Sequence, residues 1–135
     1  MDRVRKEMLE IYKPISNLDW LNYRLVRSEV TFHHIQKHAD KGKRVVENGA
    51  LLMPVAHQYL HLIEYKDLDM YVEINRIFRL VNEQRFEPTY EQRELLECLL
   101  EEFEYKYRWE KSNKGGLLLQ KKYFDRGFVR KGDNL

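Results

Sequence analysis

The alternation of apolar and polar positions is clearest in the first half of the chain. Two short runs rich in apolar and β-branched residues, at positions 30–35 and 50–53, are bounded by the turn-forming letters DKGK and ENG. Short runs between turn signals are typical of β-strands. Apolar residues then recur from Pro54, and proline suits the first turn of a helix because its missing N–H is not needed there. The pattern predicts strand, loop, strand and helix.

Helices are also predicted on both sides of this ββα unit. Residues 2–13 carry an apolar stripe, and residues 71–81 keep apolar spacings of three and four. Thr89 and Gln92 have the form of a capping box, and a long helix over about residues 90–111 follows them. We therefore expect an α+β fold that is mostly helical, in which an N-terminal helix and two long C-terminal helices flank the small ββα unit.

The chain is expected to form a single domain, residues 1–135, because its length suits one core. Within the first part, Asp19 is a capping residue type ahead of WLNYRLV, which predicts an additional helical turn. The predicted segments are an N-terminal helical segment (1–29), the ββα unit (30–66), a helical extension (67–112) and a basic C-terminal tail (113–135).

The composition is that of a folded domain, and it argues against a membrane-spanning or secreted protein. The chain is 43% hydrophobic and 34% charged, an ordinary balance for a folded domain. No apolar run approaches the roughly 18 residues that a membrane span needs. The N-terminal letters MDRVRKEMLEIYK are too charged for a signal peptide. A cytoplasmic protein that does not enter a membrane is expected.

The single cysteine, Cys98, excludes an internal disulfide and a four-cysteine zinc knuckle. Because it lies between leucines in ELLECLLEEF, we expect it to be a small buried apolar residue. A metal site in this chain therefore has to use other ligands.

Histidine is concentrated in one stretch, since all five histidines occur between His33 and His61. His57 and His61 are four residues apart, so a helix places both on one side, with Cβ atoms about 5–6 Å apart. Two imidazoles in that arrangement can share one metal ion. A lone histidine is more often a surface or core residue, which is what we expect of His38. The pairs His33-His34 and His57-His61 together predict a site.

Adjacent histidines, a central Asn48 and a final HxxxH on a ββα unit resemble the HNH endonuclease family, also called His-Me finger or ββα-metal nucleases. The pattern is most similar to the nuclease domains of DNase colicins, and it covers roughly residues 30–64. One departure is the loop sequence Asp-Lys-Gly-Lys, where the family has a Gly-Gly pair. The resemblance implies one divalent metal ion, and the motif does not distinguish Mg, Mn, Ni and Zn.

The resemblance also implies a role for each motif residue. His33, His57 and His61 would ligate the metal, and His34 would be the general base that activates water. Asn48 would hold the loop that bears His34, although Asn-Gly is also a favoured hairpin turn and a plain turn residue would explain it.

The residue types suit this chemistry. Neutral imidazole is a good ligand for divalent metals, and three protein ligands leave coordination positions open for hydrolysis. A histidine with a pKa near its ordinary value of about 6.5 can take a proton from water at neutral pH. The HxxxH of zinc proteases needs a glutamate directly after the first histidine, whereas this chain has Gln58, so that class is excluded.

Basic residues surround the proposed site in the sequence. A duplex-binding face presents lysine and arginine to phosphates, and a solvated loop explains the same charges equally well. The candidate nucleic-acid-binding residues are Arg27, Lys37, Lys41, Lys43 and Arg44.

Two functions follow from these patterns. The leading prediction is a metal-dependent HNH endonuclease that hydrolyses phosphodiester bonds in double-stranded DNA. The alternative is an HNH scaffold that binds nucleic acid or protein as a phage or mobile-element regulator or inhibitor. Tyr105 and Trp109 give the C-terminal helix an extra aromatic face, which a protein partner or the chain's own tail would cover. The oligomeric state is left open.

Overall fold

The computed structural model describes residues 1–107, Arg126 and Phe128. These residues form four α-helices and one two-stranded antiparallel sheet, so the predicted α+β, mostly helical class is confirmed. The predicted tail and the end of the helix predicted at 90–111 otherwise lie outside the described residues. In chain order the elements are α1 (Arg3–Ile11), β1 (Thr31–His34), β2 (Gly49–Leu52), α2 (Pro54–Lys66), α3 (Leu68–Gln84) and α4 (Tyr90–Tyr107).

The two strands lie where the apolar runs predict them, and they pair antiparallel with His34 opposite Gly49. Successive side chains leave a strand on opposite faces. The His33 ring accordingly packs against α2 and α3, where it meets Phe78, whereas Phe32 and His34 share the other face. The two adjacent histidines therefore leave β1 in opposite directions.

The chain between the strands folds back on itself through two turns of 3₁₀ helix, His38–Asp40 and Val46–Asn48. Gly42 lies between these turns, and a Cβ atom built on it would lie only 1.8 Å from the Gln36 carbonyl oxygen. Glycine is needed here because two backbone segments approach closely. This approach returns the loop to the sheet.

Two helix-start signals in the sequence are confirmed. Pro54 occupies the first turn of α2, directly after β2. Thr89 and Gln92 form the predicted reciprocal capping box of α4, with N···O distances of 2.9 and 3.1 Å. The helix that bears HxxxH therefore begins with a residue that is favoured in the first helical turn.

Residues 20–26 are not helical, so the helical turn predicted for them is wrong; a 3₁₀ turn follows them at Arg27–Glu29, before β1. The Asp19 carboxylate is fully buried and accepts hydrogen bonds from the backbone N–H groups of Leu21 (2.8 Å), Tyr23 (2.9 Å) and Met53 (2.8 Å). A carboxylate that binds nearby backbone donors competes with helix formation. Here it ties an N-terminal loop to the residue that precedes α2. Burial raises the pKa of Asp19 to about 6.

The core is centred on Trp20, whose side chain is fully buried. Its ring makes edge-on contacts with Tyr12, Phe78 and Phe86, at centroid distances of 6.3, 5.9 and 5.0 Å. Such edge-to-face arrangements are favoured between aromatic rings.

Within the described residues, no helix is both long and apolar enough to cross a membrane.

Helix α4 contributes Leu96 and Leu100 to the core and also buries Arg93, whose guanidinium donates to the Asp19 carbonyl oxygen at 2.7 Å. Cys98 is exposed, so the prediction of a buried cysteine is wrong. The reason is helical geometry, because position 98 lies roughly 200° around the helix from each of the two buried leucines.

Asp19→Asn is expected to lower the free energy of unfolding at pH 7 by about 1–3 kcal/mol, because an amide nitrogen would leave the buried Met53 N–H facing a donor. Urea denaturation followed by circular dichroism measures the difference. Asp40→Asn, at an exposed carboxylate, is the matched control and should change the value by less than about 0.5 kcal/mol. Equal stability of Asp19→Asn and the unmodified protein would contradict this role.

Candidate functional site

One cleft of about 430 Å³ brings together all five histidines of the chain. Strand β1 and helix α2 contribute two histidines each, and the loop after β1 contributes the fifth. Lys37, Glu64 and Tyr71 also line the cleft. The histidines are His33, His34, His38, His57 and His61.

His33 is the most deeply buried of the five, with 3% of its surface exposed. Its Nε2 lies 2.8 Å from the side-chain oxygen of Asn75 on α3. Because an amide oxygen can only accept, Nε2 carries the hydrogen and Nδ1 keeps its lone pair. Burial lowers the pKa of His33 to about 3, so the ring is neutral at pH 7.

His57 is fixed through Nδ1, whereas His33 is fixed through Nε2. The Thr31 hydroxyl donates to the Leu52 carbonyl oxygen at 2.7 Å and lies 3.0 Å from His57 Nδ1. Since that hydroxyl has only one hydrogen, it accepts from Nδ1–H, and His57 Nε2 keeps its lone pair. Burial, with smaller contributions from the charges of His61 and His34, lowers the pKa of His57 to about 4.

His61 lies one helical turn beyond His57 at the mouth of the cleft. Its ring stacks on that of His57 with a centroid distance of 4.8 Å and an interplanar angle of 21°. The side chain is 60% exposed, and its Nδ1 lies 3.6 Å from Glu64 Oε1. The other Glu64 oxygen forms an ion pair with Lys37, which links α2 to the loop after β1.

His34 packs edge-on against Phe32, with ring centroids 4.8 Å apart. Its Nε2 atom is buried and has no hydrogen-bond partner in the part of the chain that the structure describes. A buried polar atom in that state is uncommon, and a catalytic role is one of the explanations for it. Burial lowers the pKa of His34, and the charges of Arg44 and His38 add to the effect, so the neutral form dominates at pH 7.

Asn48 ties the loop after β1 to the sheet. Its side-chain nitrogen donates to the carbonyl oxygens of Gln36 (2.9 Å) and Lys43 (3.0 Å), and its side-chain oxygen accepts from Gln36 N–H (2.8 Å) and Arg79 (2.9 Å). Asn48 is not one of the described residues with a positive φ. Because an Asn-Gly hairpin turn requires a positive φ at the asparagine, Asn48 does not adopt that turn. The contacts are those of a residue that holds the loop in place, while its catalytic importance stays a prediction.

The histidines fit a divalent ion chemically. His33 and His57 are neutral, and each has one ring nitrogen that makes no hydrogen bond to the described residues. The arrangement is not that of a formed metal centre. Across residues 1–107, no three His, Cys, Asp or Glu side chains are disposed to hold one ion. The rings of His57 and His61 are stacked, with an interplanar angle of 21°. Ligation by His33, His57 and His61 therefore stays a prediction.

The five basic residues proposed to contact nucleic acid have different surroundings. Arg27 donates to the carbonyl oxygens of Tyr12 (2.8 Å) and Leu9, at the end of α1. Arg44 pairs with Asp2 at 2.5 Å and covers the ring of Phe32. The structure thus gives Arg27 and Arg44 roles in holding α1.

The other three lie in the loop after β1. Lys37 is in the cleft, and Lys41 and Lys43 are exposed. Lys41 has a φ of 68°, a left-handed conformation that ends the 3₁₀ turn. Lys41 and Lys43 remain available to a polyanion at the edge of the site, whereas Lys37 is paired with Glu64.

Some cleft residues were not anticipated from the sequence. Glu64 follows His61 by three positions, so helical periodicity placed it on the same side and would have identified it. His38 was expected to be a surface or core histidine without a role; it is exposed, and it also lines the cleft, with its ring 6.1 Å from that of His34. Asn75 is 42 positions from His33 and no local pattern connects them.

Comparison with models of known protein families, with curated proteins and with solved structures found no match.

The metal-free protein is expected to lose stability as the pH falls from 7 to 4.5. His33 and His57 bind protons in the unfolded chain below their ordinary pKa of 6.5, but in the folded protein only near 3 and 4. The unfolded state therefore gains protons first, which favours unfolding. Asp19 opposes this trend, since its folded pKa near 6 exceeds its ordinary 3.8, but two histidines outweigh one carboxylate.

The variant His57→Asn isolates the histidine contribution. Unfolding free energies from urea denaturation in EDTA, at pH 7 and 4.5, should fall less in this variant than in the unmodified protein. An equal fall in both proteins would show that His57 is not a buried neutral imidazole.

Proposed function

We propose that the protein is a cytoplasmic, metal-dependent endonuclease that hydrolyses phosphodiester bonds in DNA. The supporting observation is the cleft lined by all five histidines, in which His33 and His57 are neutral and each is fixed through one ring nitrogen. Metal-binding histidines in proteins characteristically donate their second ring N–H to an oxygen acceptor. Asn75 and Thr31 supply such acceptors here.

The proposed ligands are His33, His57 and His61, with one divalent ion. When bound, the ion would act as a Lewis acid toward the scissile phosphate and stabilise the negative charge that develops there. Glu64 lies beside His61 and pairs with Lys37, so the mouth of the cleft already carries compensated charge. Neutral imidazoles bind the ion without first having to release protons at pH 7.

His34 is the proposed general base. Its neutral ring would accept a proton from the attacking water. The ring lines the cleft, and its Nε2 has no hydrogen-bond partner among the described residues. The lowered pKa keeps the ring unprotonated at pH 7. Asn48 contributes by holding the loop that begins immediately after His34.

The proposed substrate is double-stranded DNA, contacted through its phosphates. Lys41 and Lys43 are exposed on the loop beside the cleft, and Lys37 lies within it. Lysines placed beside a hydrolytic site neutralise the phosphates that flank the scissile bond. Arg27 is not included among these contacts because its guanidinium binds carbonyl groups of α1.

His34→Ala is expected to reduce nicking of supercoiled plasmid by at least about 100-fold, because it removes the general base, while metal affinity stays unchanged. Nicking is measured with Mg²⁺, Mn²⁺, Ni²⁺ and Zn²⁺, with and without EDTA, and affinity by calorimetry. Tyr65→Ala, at a side chain that is 84% exposed on α2, is the control and should nick at the normal rate.

Unchanged nicking by His34→Ala would remove His34 from the mechanism. Absence of nicking with all four metals would instead favour the alternative, a scaffold that binds nucleic acid or protein as a regulator or inhibitor. That alternative predicts DNA or partner binding that survives replacement of His33, His34, His57 and His61 together.

A further inference from the structure

Asn75 connects helix α3, which lies outside the ββα unit, to the proposed metal site. It is only 9% exposed, and its side-chain oxygen lies 2.8 Å from His33 Nε2. This hydrogen bond provides a partner for one end of the buried amide, as buried polar groups require.

The structure directs the amide oxygen of Asn75, and not the amide nitrogen, toward the histidine. An amide oxygen can only accept a hydrogen bond, so it takes the Nε2 hydrogen of His33. The His33 ring is consequently held in the tautomer that has its lone pair on Nδ1.

His57 is held in the opposite tautomer, because its Nδ1 hydrogen is directed to Thr31. The two rings lie 5.4 Å apart and nearly perpendicular, at 85°. A tautomeric change at His33 would place a hydrogen on the nitrogen that remains for a ligand. The orientation of a single amide thus decides whether this ring can act as a donor.

We propose that Asn75 is a positioning residue that fixes the tautomer and orientation of His33 so that Nδ1 binds the metal ion. This inference rests on the proposed function, and Asn75 acts through His33 without touching the ion. It gives α3 a role in the site, since the ββα unit alone lacks this acceptor. Loss of such an outer hydrogen bond typically weakens metal binding by about 10- to 100-fold.

The test compares Asn75→Leu, which removes the acceptor at similar volume, with Asn75→Asp, which keeps it. Calorimetric titration with Zn²⁺ should show affinity about 10- to 100-fold weaker for Asn75→Leu and near normal for Asn75→Asp. The matched control is Asn82→Leu, which removes another α3 amide, one that donates to the carbonyl oxygens of Val46 and Gly49 and has no hydrogen bond to a histidine among the described residues. Its Zn²⁺ affinity should be normal.

A second readout does not depend on metal. Long-range ¹⁵N–¹H spectra of the metal-free protein should show the Nε2–H tautomer of His33 in the unmodified protein and in Asn75→Asp, and its loss or mixing in Asn75→Leu. Folded Asn75→Leu with normal Zn²⁺ affinity, or with an unchanged His33 tautomer, would overturn the proposal. If the unmodified protein bound no metal, the proposed function would fail, and with it the ligand role of His33, whereas the spectra would still decide whether Asn75 sets the tautomer.

Discussion

The candidate site depends on the burial of the His33 imidazole, in its neutral form, between the sheet and α3. Burying an unpaired polar group costs about 2–7 kcal/mol, and the hydrogen bond to Asn75 removes much of that cost at one nitrogen. The same burial lowers the pKa of the ring and keeps it uncharged. What remains is a neutral imidazole whose Nδ1 has no hydrogen-bond partner among the described residues, which is the state that a metal ligand requires.

Irregular segments around the site are held in the same way, by buried polar side chains that bind backbone groups. The Asp19 carboxylate joins the N-terminal loop to Met53, immediately before α2. The Asn48 amide joins the loop after β1 to β2 and to Arg79 on α3. Each group satisfies donors or acceptors that would otherwise be buried without partners. The short sheet therefore receives its stability from side chains as well as from its own ladder.

The sequence was most informative where the physical cause is local. The two strands, the start of α2 and the capping box of Thr89 and Gln92 follow from periodicity and from hydrogen bonds within a few residues. The predicted helical turn after Asp19 was wrong because its carboxylate binds the N–H groups of Leu21 and Tyr23 and also that of Met53, 34 positions away. Cys98 was misplaced because leucines on both sides do not define which side of a helix faces the core.

The sequence pattern predicted that the four motif histidines would share one region, and the structure places them in one cleft. Their roles stay predictions. The partner that fixes His33 was inaccessible to sequence reasoning, because Asn75 is one ordinary polar residue on a helix with no motif around it. Long-range pairs of this kind are set by tertiary packing. Periodicity and helix caps report only local structure, so they do not predict such pairs.

The most direct measurement is X-ray absorption spectroscopy at the zinc edge on protein loaded with one equivalent of Zn²⁺. A site made by His33, His57 and His61 predicts nitrogen scatterers at about 2.0–2.1 Å with the outer-shell pattern of three imidazole rings. Replacement of any one of them by glutamine should remove one ring from that pattern. A spectrum with oxygen scatterers alone, or one that these three replacements leave unchanged, would contradict a metal centre built from these histidines.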